Sequence, residues 1–276
     1  MPPSCVCLTF DFDALSVWLG QEPVTPAMLQ RGEYGARVGV PRLLDRLDAL
    51  GLPATFFIPG HTVESFPAEC EAILAAGHEI AHHSYAHVDP SRQSPAEERA
   101  DMERALGALE RLGVRPLGYR SPSADMSPAT LPLLEEHGFR YDSSLMADDF
   151  RPYRPRIGDE VTREQPLQRG RDARLWELPM SFELDDWPHF QFAFGPSYRV
   201  GLSAPSKVLE IWTEEFDWMH EHVADGLLTV CMHPQVIARG HRMAMLERFV
   251  AYCAAAGATF ARMGDVARAL PVAGES

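Results

Sequence analysis

Two histidines, His83 and His87, stand four residues apart and are well suited to holding a metal ion. Histidines at that spacing share one face of a helical turn, so both imidazoles can reach one metal. The same spacing also fits two ordinary polar residues in a loop. The nearby His78 and His82 leave open that one of them replaces a member of the pair.

Two aspartates, Asp11 and Asp13, follow an apolar segment near the start of the chain. Residues two apart in a strand face the same side, so one carboxylate could bind metal while the other stays free as a base. A solvated acidic pair at a strand end is the alternative. Because Leu8, Phe10 and Phe12 surround these acids, their charges need a partner or a cation, which favours the metal site.

An arginine and a histidine follow two further apolar segments. Arg120 comes directly after 116–119, and a guanidinium beside two aspartates can hold a carboxylate in its ionised form. His233 comes directly after 227–232 and could donate a proton to a leaving amine. A surface salt bridge and a structural histidine are the respective alternatives. Together the aspartates, histidines and arginine predict metal-dependent hydrolysis of an amide-type C–N bond.

Short apolar segments alternate with helical ones along the chain, which is typical of an α/β protein with parallel strands and helical crossovers. The alternation fits either a barrel or a doubly wound sheet, and sites in both are built at the carboxyl ends of strands. The predicted strands are 5–10, 54–58, 79–81, 116–119, 175–178, 227–232 and 258–261. The predicted helices are 40–50, 67–76, 95–112, 127–137, 205–222, 241–255 and 263–270.

The length of the chain predicts one domain over 1–276, with an irregular excursion around 150–195. A net charge of −14 disfavours nucleic acid and anionic membranes as partners, because both require a basic surface. No apolar segment approaches membrane-spanning length, and no signal peptide is recognisable, so we expect a cytoplasmic protein. The five cysteines are expected to be buried free thiols.

Four segments of the chain resemble, in order, motifs of the polysaccharide deacetylase (NodB-homology) superfamily. Residues 9–13 resemble its first motif, with one residue inserted between the paired acids, and 83–87 resemble its metal-binding second motif. Residues 119–123 resemble the third motif, and 232–234 the fifth. The resemblance implies a distorted (β/α) barrel with about seven strands.

The resemblance also implies a role for each matching residue. A divalent metal, Zn²⁺ or a similar ion such as Co²⁺, would be held by Asp13, His83 and His87. The implied catalytic residues are the base Asp11, its charge partner Arg120, the oxyanion donor Ser123 through its N–H, and the general acid His233. The fourth motif, whose aspartate tunes the acid histidine, fits either Asp142 or Asp186.

The chain resembles a cytoplasmic branch that includes cyclic imide hydrolases, allantoinases and relatives named peptidoglycan deacetylases. Three features carry this resemblance: the spaced acids of 11–13, the segment 14–19, and 177–179 leading to 184–188. This similarity implies a homotetramer and a closed pocket for a small cyclic imide or amide. Substrate contacts are predicted for Trp18, Asp186, Trp187 and Phe190, with Phe192 as a further member of an apolar lid. Packing in the core or at an interface is the alternative for these aromatic residues.

Two other functions remain open for the same motifs. Deacetylation of N-acetylated sugars in a polysaccharide or in peptidoglycan is the first alternative. A non-catalytic binding module that kept the fold is the second, and the intact set of acid, base and metal ligands argues against it. The predicted partner is therefore a small amide, an imide or an N-acetyl sugar.

Overall fold

The computed structural model describes residues 4–19, 24–191 and 201–272. Seven parallel strands curl into a barrel in the order β9-β1-β2-β3-β4-β5-β8. An isolated parallel bridge between Asp185 and Cys231 joins the chain after β8 to β9, so the two edges of the curled sheet approach each other. A short eighth strand, β10, pairs with the start of β1. The strands are β1 (Cys5–Asp11), β2 (Thr55–Ile58), β3 (Glu79–His82), β4 (Gly118–Tyr119), β5 (Tyr141–Asp142), β8 (Trp176–Glu177), β9 (Leu227–Met232) and β10 (Thr259–Phe260).

The central strand β1 is buried along its length because it has neighbours along both edges and is covered on both faces. It pairs with β9 over six residues and with β2 at its carboxyl end. Every residue from Val6 to Asp11 is buried, as expected for a parallel strand that is apolar on both faces. The end of β1 is therefore a rigid position from which to present side chains.

Helices lie around the barrel and after its strand ends. They are α1 (Pro26–Tyr34), α2 (Val40–Leu50), α3 (Gly60–Ser65), α4 (Pro67–Ala75), α5 (Pro95–Arg111), α6 (Thr130–Glu136), α7 (Asp186–Phe190), α8 (Pro205–His222), α9 (Pro234–Ile237), α10 (Gly240–Ala255) and α11 (Met263–Ala269). No helix among the described residues is both long and apolar enough to cross a bilayer.

Local sequence signals explain where several of these helices begin and end. Helix α5 begins with a capping box in which Ser94 and Glu97 bond each other's backbone N–H groups. Helix α2 ends at Gly51, whose φ of +64° places it in the left-handed region that glycine adopts readily. These signals allowed the alternation of strands and helices to be predicted from the sequence. The predicted barrel is confirmed.

Several elements were not predicted because their sequences carry little periodicity. Helix α1 buries only Gly32, so it has no apolar stripe to recognise. The elements α3, α7, α9 and β5 are each six residues or shorter. In the excursion, β6 (Arg156–Ile157) and β7 (Arg171–Asp172) form a two-stranded antiparallel ribbon. Phe192 lies outside the described residues.

Helix α1 continues into a π-helical segment, Gly35–Gly39. The backbone of this stretch lies directly against the backbone of two other segments, at Ala14 and Pro234. A Cβ on Gly32 would lie 2.4 Å from the carbonyl oxygen of Ala14, and one on Gly39 would lie 2.6 Å from that of Pro234. Only glycine allows such an approach. We call these two glycines the glycine seam.

Candidate active site

Four strands of the barrel end at one edge and carry the predicted chemical residues there. Asp11 is the last residue of β1, and Arg120 directly follows β4. His83 directly follows β3, and His233 directly follows β9. Because these strands are parallel neighbours, their carboxyl ends converge, as in other α/β barrels.

The three predicted metal ligands form one cluster. One ligand atom each from Asp13, His83 and His87 lies within 4.8 Å of the other two. Asp13 Oδ1 is 3.4 Å from His83 Nε2 and 3.7 Å from His87 Nε2. Asp13 is fully buried, and the charges of the neighbouring histidines hold its pKa at about 2 although burial alone would raise it. The carboxylate is therefore ionised and available to a cation.

The two histidines are brought together by a loop and not by the helical turn that their spacing suggested. The chain after β3 is non-helical, and both Ser84 (φ +58°) and His87 (φ +56°) adopt the left-handed region. That conformation places the two imidazole rings 5.0 Å apart in an edge-to-face arrangement. Strained residues of this kind concentrate at functional sites.

The adjacent His82 is excluded as a ligand because both of its nitrogens are already engaged. Its Nδ1 accepts a hydrogen bond from the backbone N–H of Ser84, and its Nε2 lies 3.2 Å from the carbonyl oxygen of Met102. Complete burial lowers its pKa to about 3, so it is neutral. The alternative that His82 replaces a member of the pair is therefore not supported.

The residues of this cluster fit a divalent metal ion. The Nδ1–H of His83 donates to the carbonyl oxygen of Arg120 at 2.7 Å, which leaves the Nε2 lone pair free. Both His83 Nε2 and Asp13 Oδ1 are buried without a hydrogen-bond partner. Buried polar atoms rarely stay unsatisfied, and one carboxylate with two imidazoles suits zinc and similar ions.

Asp11 is paired with the buried Arg120. Arg120 Nη1 donates to Asp11 Oδ1 at 2.7 Å, and the guanidinium carbon lies 4.1 Å from the centre of the Phe57 ring. Thr9 Oγ1 accepts from the same nitrogen, and Ser143 accepts from the other two through its carbonyl and hydroxyl oxygens. Although burial opposes it, the guanidinium lowers the pKa of Asp11, so this carboxylate stays ionised.

His233 is held by Asp186 beside the same cluster. Its Nδ1 is 2.8 Å from Asp186 Oδ1, and its backbone N–H donates to Asp186 Oδ2. Its Nε2 faces Asp13 at 3.8 Å. Burial alone would lower the pKa of His233, but the hydrogen bond and charge of Asp186 raise it to about 10. His233 therefore carries a proton at neutral pH.

The structure decides between the two aspartates that the sequence left open. Asp186 contacts His233, whereas Asp142 bonds Ser144. The bridge that pairs Asp185 with Cys231 places Asp186 beside the end of β9. Asp186 is fully buried with both carboxylate oxygens on His233, so the predicted direct contact between Asp186 and substrate does not fit this arrangement.

Ser123 and the predicted aromatic contact residues differ in how deeply they are buried. Ser123 is exposed in a tight turn after β4 and has a left-handed φ of +61°. Trp187 lies 4.9 Å from the His233 ring and 6.0 Å from the ring of Trp18. Phe190 is buried. The oxyanion role of Ser123 stays a prediction.

Sequence reasoning missed residues whose importance depends on contacts across the barrel. Gln235 Nε2 lies 3.4 Å from Asp13 Oδ2, and Cys231 Sγ lies 3.5 Å from Asp11 Oδ2. Thr9 and Ser143 orient Arg120. The positions of Cys231 and Gln235, two residues either side of His233, were the only available signal.

The fold and site define a barrel hydrolase with an Asp-His-His cluster that could hold a metal ion, and comparisons with known proteins agree. The family model "Polysaccharide deacetylase" matches residues 1–141. A peptidoglycan deacetylase of Helicobacter pylori is 34% identical over 253 residues, covering 87% of this chain and 86% of the relative. The chain belongs to the polysaccharide deacetylase family.

Two solved structures are similar over most of their length. One from Mycobacterium smegmatis, named as a polysaccharide deacetylase, has a TM-score of 0.86 at 37% identity, covering 97% of this chain and 90% of that one. An allantoinase has a TM-score of 0.74 at 27% identity, covering 96% and 88%. The protein is a hydrolase of C–N bonds other than peptide bonds, in a metal-dependent family.

Proposed function

We propose that this protein removes acetyl groups from N-acetylated sugars of the peptidoglycan or polysaccharide type. One observation carries the proposal: an ionised Asp11 and a protonated His233 both adjoin the predicted metal ligands in a single buried cluster, Asp11 Oδ2 at 3.8 Å from His83 Nε2 and His233 Nε2 at 3.8 Å from Asp13 Oδ2. This is a base and an acid poised around a metal ligand, as hydrolysis of an amide requires. The names of the relatives support deacetylation more directly than the hydrolysis of cyclic imides.

We propose zinc as the metal, held by Asp13, His83 and His87. Bound there, a zinc ion would polarise the amide carbonyl and lower the pKa of a water molecule. Asp13 contributes the negative charge of the ligand set, and the hydrogen bond from His83 Nδ1 to Arg120 fixes the ring orientation. The three ligands could be predicted from the sequence, but the hydrogen bond that orients His83 could not.

Asp11 acts as the base in the proposed reaction. Its Oδ1 is occupied by Arg120, while its Oδ2 faces His83 Nε2 at 3.8 Å. The carboxylate is therefore ionised, oriented and close to a metal ligand, so it can accept a proton from the attacking water. The backbone N–H of Ser123 is proposed to donate to the oxygen of the carbonyl under attack.

His233 acts as the acid that releases the amine. Asp186 fixes the ring through Nδ1, so Nε2 is the nitrogen directed at the cluster. That nitrogen can give its proton to the departing nitrogen of the substrate, because Asp186 keeps the imidazole protonated. The Trp187 ring beside His233 shields this step from bulk water.

Hydrolysis of a small cyclic amide or imide is the second candidate. It is favoured by the 27% identity to an allantoinase over almost the whole chain and by the tryptophan pair at the site. Trp18 is buried and Trp187 half-buried, which fits a compact ring better than a long polymer. We further propose a cytoplasmic location and a homotetramer, both from the family resemblance.

The test is acetate release from N-acetylglucosamine oligomers by the zinc-loaded protein, with ring opening of succinimide measured in parallel. Asp11→Asn should keep bound zinc and lose about 10²–10⁴-fold in kcat, since it removes the base alone. Asp13→Ala and His87→Ala should lose both zinc and activity. Asp45→Asn, the same change at an exposed position of α2, is the control.

Three outcomes would contradict parts of the proposal. Full activity of Asp11→Asn would refute the base assignment. Ring opening without acetate release would replace deacetylation by the second candidate. Zinc bound with neither reaction would support a binding module of the same fold.

A further inference from the structure

A cavity of about 290 Å³ lies beside the candidate active site. It is connected to the catalytic cluster through two of its wall residues. Gln235 reaches Asp13 Oδ2 at 3.4 Å, and Trp18 contacts the Trp187 ring that packs on His233. Its described lining is Trp18, Arg31, Phe190, Gln191, Leu202, Gln235, Arg239 and Arg242. A group in this cavity would therefore be one side chain away from the reacting centre.

Arg242 is a buried cation in this wall, and no carboxylate of the described chain lies within 4.0 Å of it. It is only 8% exposed, and its Nη atoms donate to the carbonyl oxygens of Val236 and Phe190. Its Nε is buried without a hydrogen-bond partner. The guanidinium carbon lies 4.4 Å from the centre of the Phe190 ring, which stabilises the charge in part, but burying a guanidinium without a paired carboxylate is unfavourable.

The position of Arg242 in its helix is a second unfavourable feature. It lies in the first turn of α10, a sixteen-residue helix, where the helix dipole disfavours positive charge. Asp186 is the carboxylate whose charge acts on it, but beyond ion-pair distance and already bonded to His233. Burial lowers the pKa of Arg242, and the like charge of Arg239 lowers it further. An anion in the cavity would relieve both effects.

Arg239 places a second guanidinium at the same cavity. It is exposed, directly precedes α10, and its guanidinium carbon lies 3.5 Å from the centre of the Tyr34 ring. Within the described part of the chain, Arg239 likewise has no carboxylate within ion-pair distance. Three arginines, Arg31, Arg239 and Arg242, line this cavity although the whole chain carries a net charge of −14. The positive character of the cavity is therefore local.

We propose that this cavity holds a carboxylate group of the substrate, bound by the guanidinium groups of Arg239 and Arg242. Planar guanidinium forks match carboxylates geometrically, and such charge-assisted bonds are strong when partly buried. This proposal rests on the proposed function and deepens it, since the substrate becomes an N-acetylated sugar that also bears a carboxylate. Arg239 and Arg242 then determine specificity and do not take part in the bond-breaking steps.

The direct test is binding of succinate, with its neutral diamide succinamide for comparison, to the full chain after removal of divalent metal. Calorimetry should show saturable binding of succinate and much weaker binding of succinamide. Arg239→Gln and Arg242→Gln should each weaken succinate binding about tenfold or more. Arg248→Gln, an exposed change on the same helix, should leave binding unchanged. No saturable binding to wild type, or equal binding to the Gln variants, overturns the proposal.

Turnover separates this proposal from the proposed function. N-Acetylmuramic acid and N-acetylglucosamine share the N-acetylated ring and differ in one carboxylate-bearing ether. Each Gln variant should raise the ratio of KM for the first sugar to KM for the second at least tenfold. An unchanged ratio overturns the proposal, because an arginine that only balances Asp186 would affect both sugars alike. Succinate binding without hydrolysis of either sugar would refute the proposed deacetylase function but would support the proposed carboxylate site.

Discussion

The buried pair of Asp11 and Arg120 allows a quantitative test of how this site is stabilised. Arg120→Met keeps most of the side-chain volume over Phe57 and removes the charge. It leaves Asp11 ionised, buried and unpaired, which costs about 3–5 kcal/mol when one partner of a buried pair is removed. The Ser143 carbonyl oxygen also loses its guanidinium donor, which adds about 1–3 kcal/mol.

The assay is urea unfolding of the metal-free protein followed by circular dichroism. Arg120→Met is expected to lower the free energy of unfolding by about 4 kcal/mol or more. The double variant Arg120→Met/Asp11→Asn should recover much of that loss, since a neutral amide needs no counter-charge. The control is Arg99→Met, which breaks an exposed bidentate pair with Glu136 and should lower the free energy of unfolding far less than Arg120→Met. Equal losses for Arg120 and Arg99, or no recovery in the double variant, would refute the reasoning.

Three further predictions follow from single contacts. Asp186→Asn should lower the pKa of His233 from about 10, so the alkaline limb of the kcat profile should move to lower pH. Burial raises the pKa of Glu177 well above 4.5, so the folded state keeps a proton that the unfolded chain releases. Stability should therefore fall as pH rises above about 4.5, and Glu177→Gln should make that fall less steep in urea titrations; an unchanged slope would contradict it. A hydrogen bond from the neighbouring cysteine lowers the pKa of half-buried Cys5, whereas burial raises that of Cys70 to about 12. Iodoacetamide should label Cys5 first by mass spectrometry, and faster labelling of Cys70 would contradict this.

The fold was predictable from the sequence where elements are long or carry local signals. β1 and β9 are six or seven residues long and mostly apolar, and the capping residues of α5, Ser94 and Glu97, can be recognised in the sequence. By contrast, β5 is only two residues long, and α1 buries only one residue. Neither element therefore shows a periodic pattern of apolar residues in the sequence. The long elements predicted parallel strands with helical crossovers, and the family resemblance implied that these strands form a barrel.

The candidate site was predictable as a set of residues but not as a geometry. The motifs identify the site residues at the ends of β1, β3, β4 and β9. Each motif lies at or directly after a strand, so the sequence also indicates at which edge of the sheet these residues lie. The partner of His233 could not be named, since Asp142 and Asp186 differ only in contacts across the barrel. The loop conformation of His83 and His87 depends on left-handed residues that no spacing rule indicates.

The glycine seam has a consequence for how this barrel can change its substrate. Gly32 and Gly39 lie against the carbonyl groups that follow Asp13 and His233, so one helical segment is in backbone contact with the chain of both the metal ligand and the acid. Any side chain at either glycine would push a catalytic loop, so this wall tolerates no single substitution of ordinary size. The arginines of the neighbouring cavity and the two tryptophans contact the site through side chains and not through their backbone. New specificities are therefore expected to arise by changes there, while the seam preserves the spacing between the metal ligand and the acid.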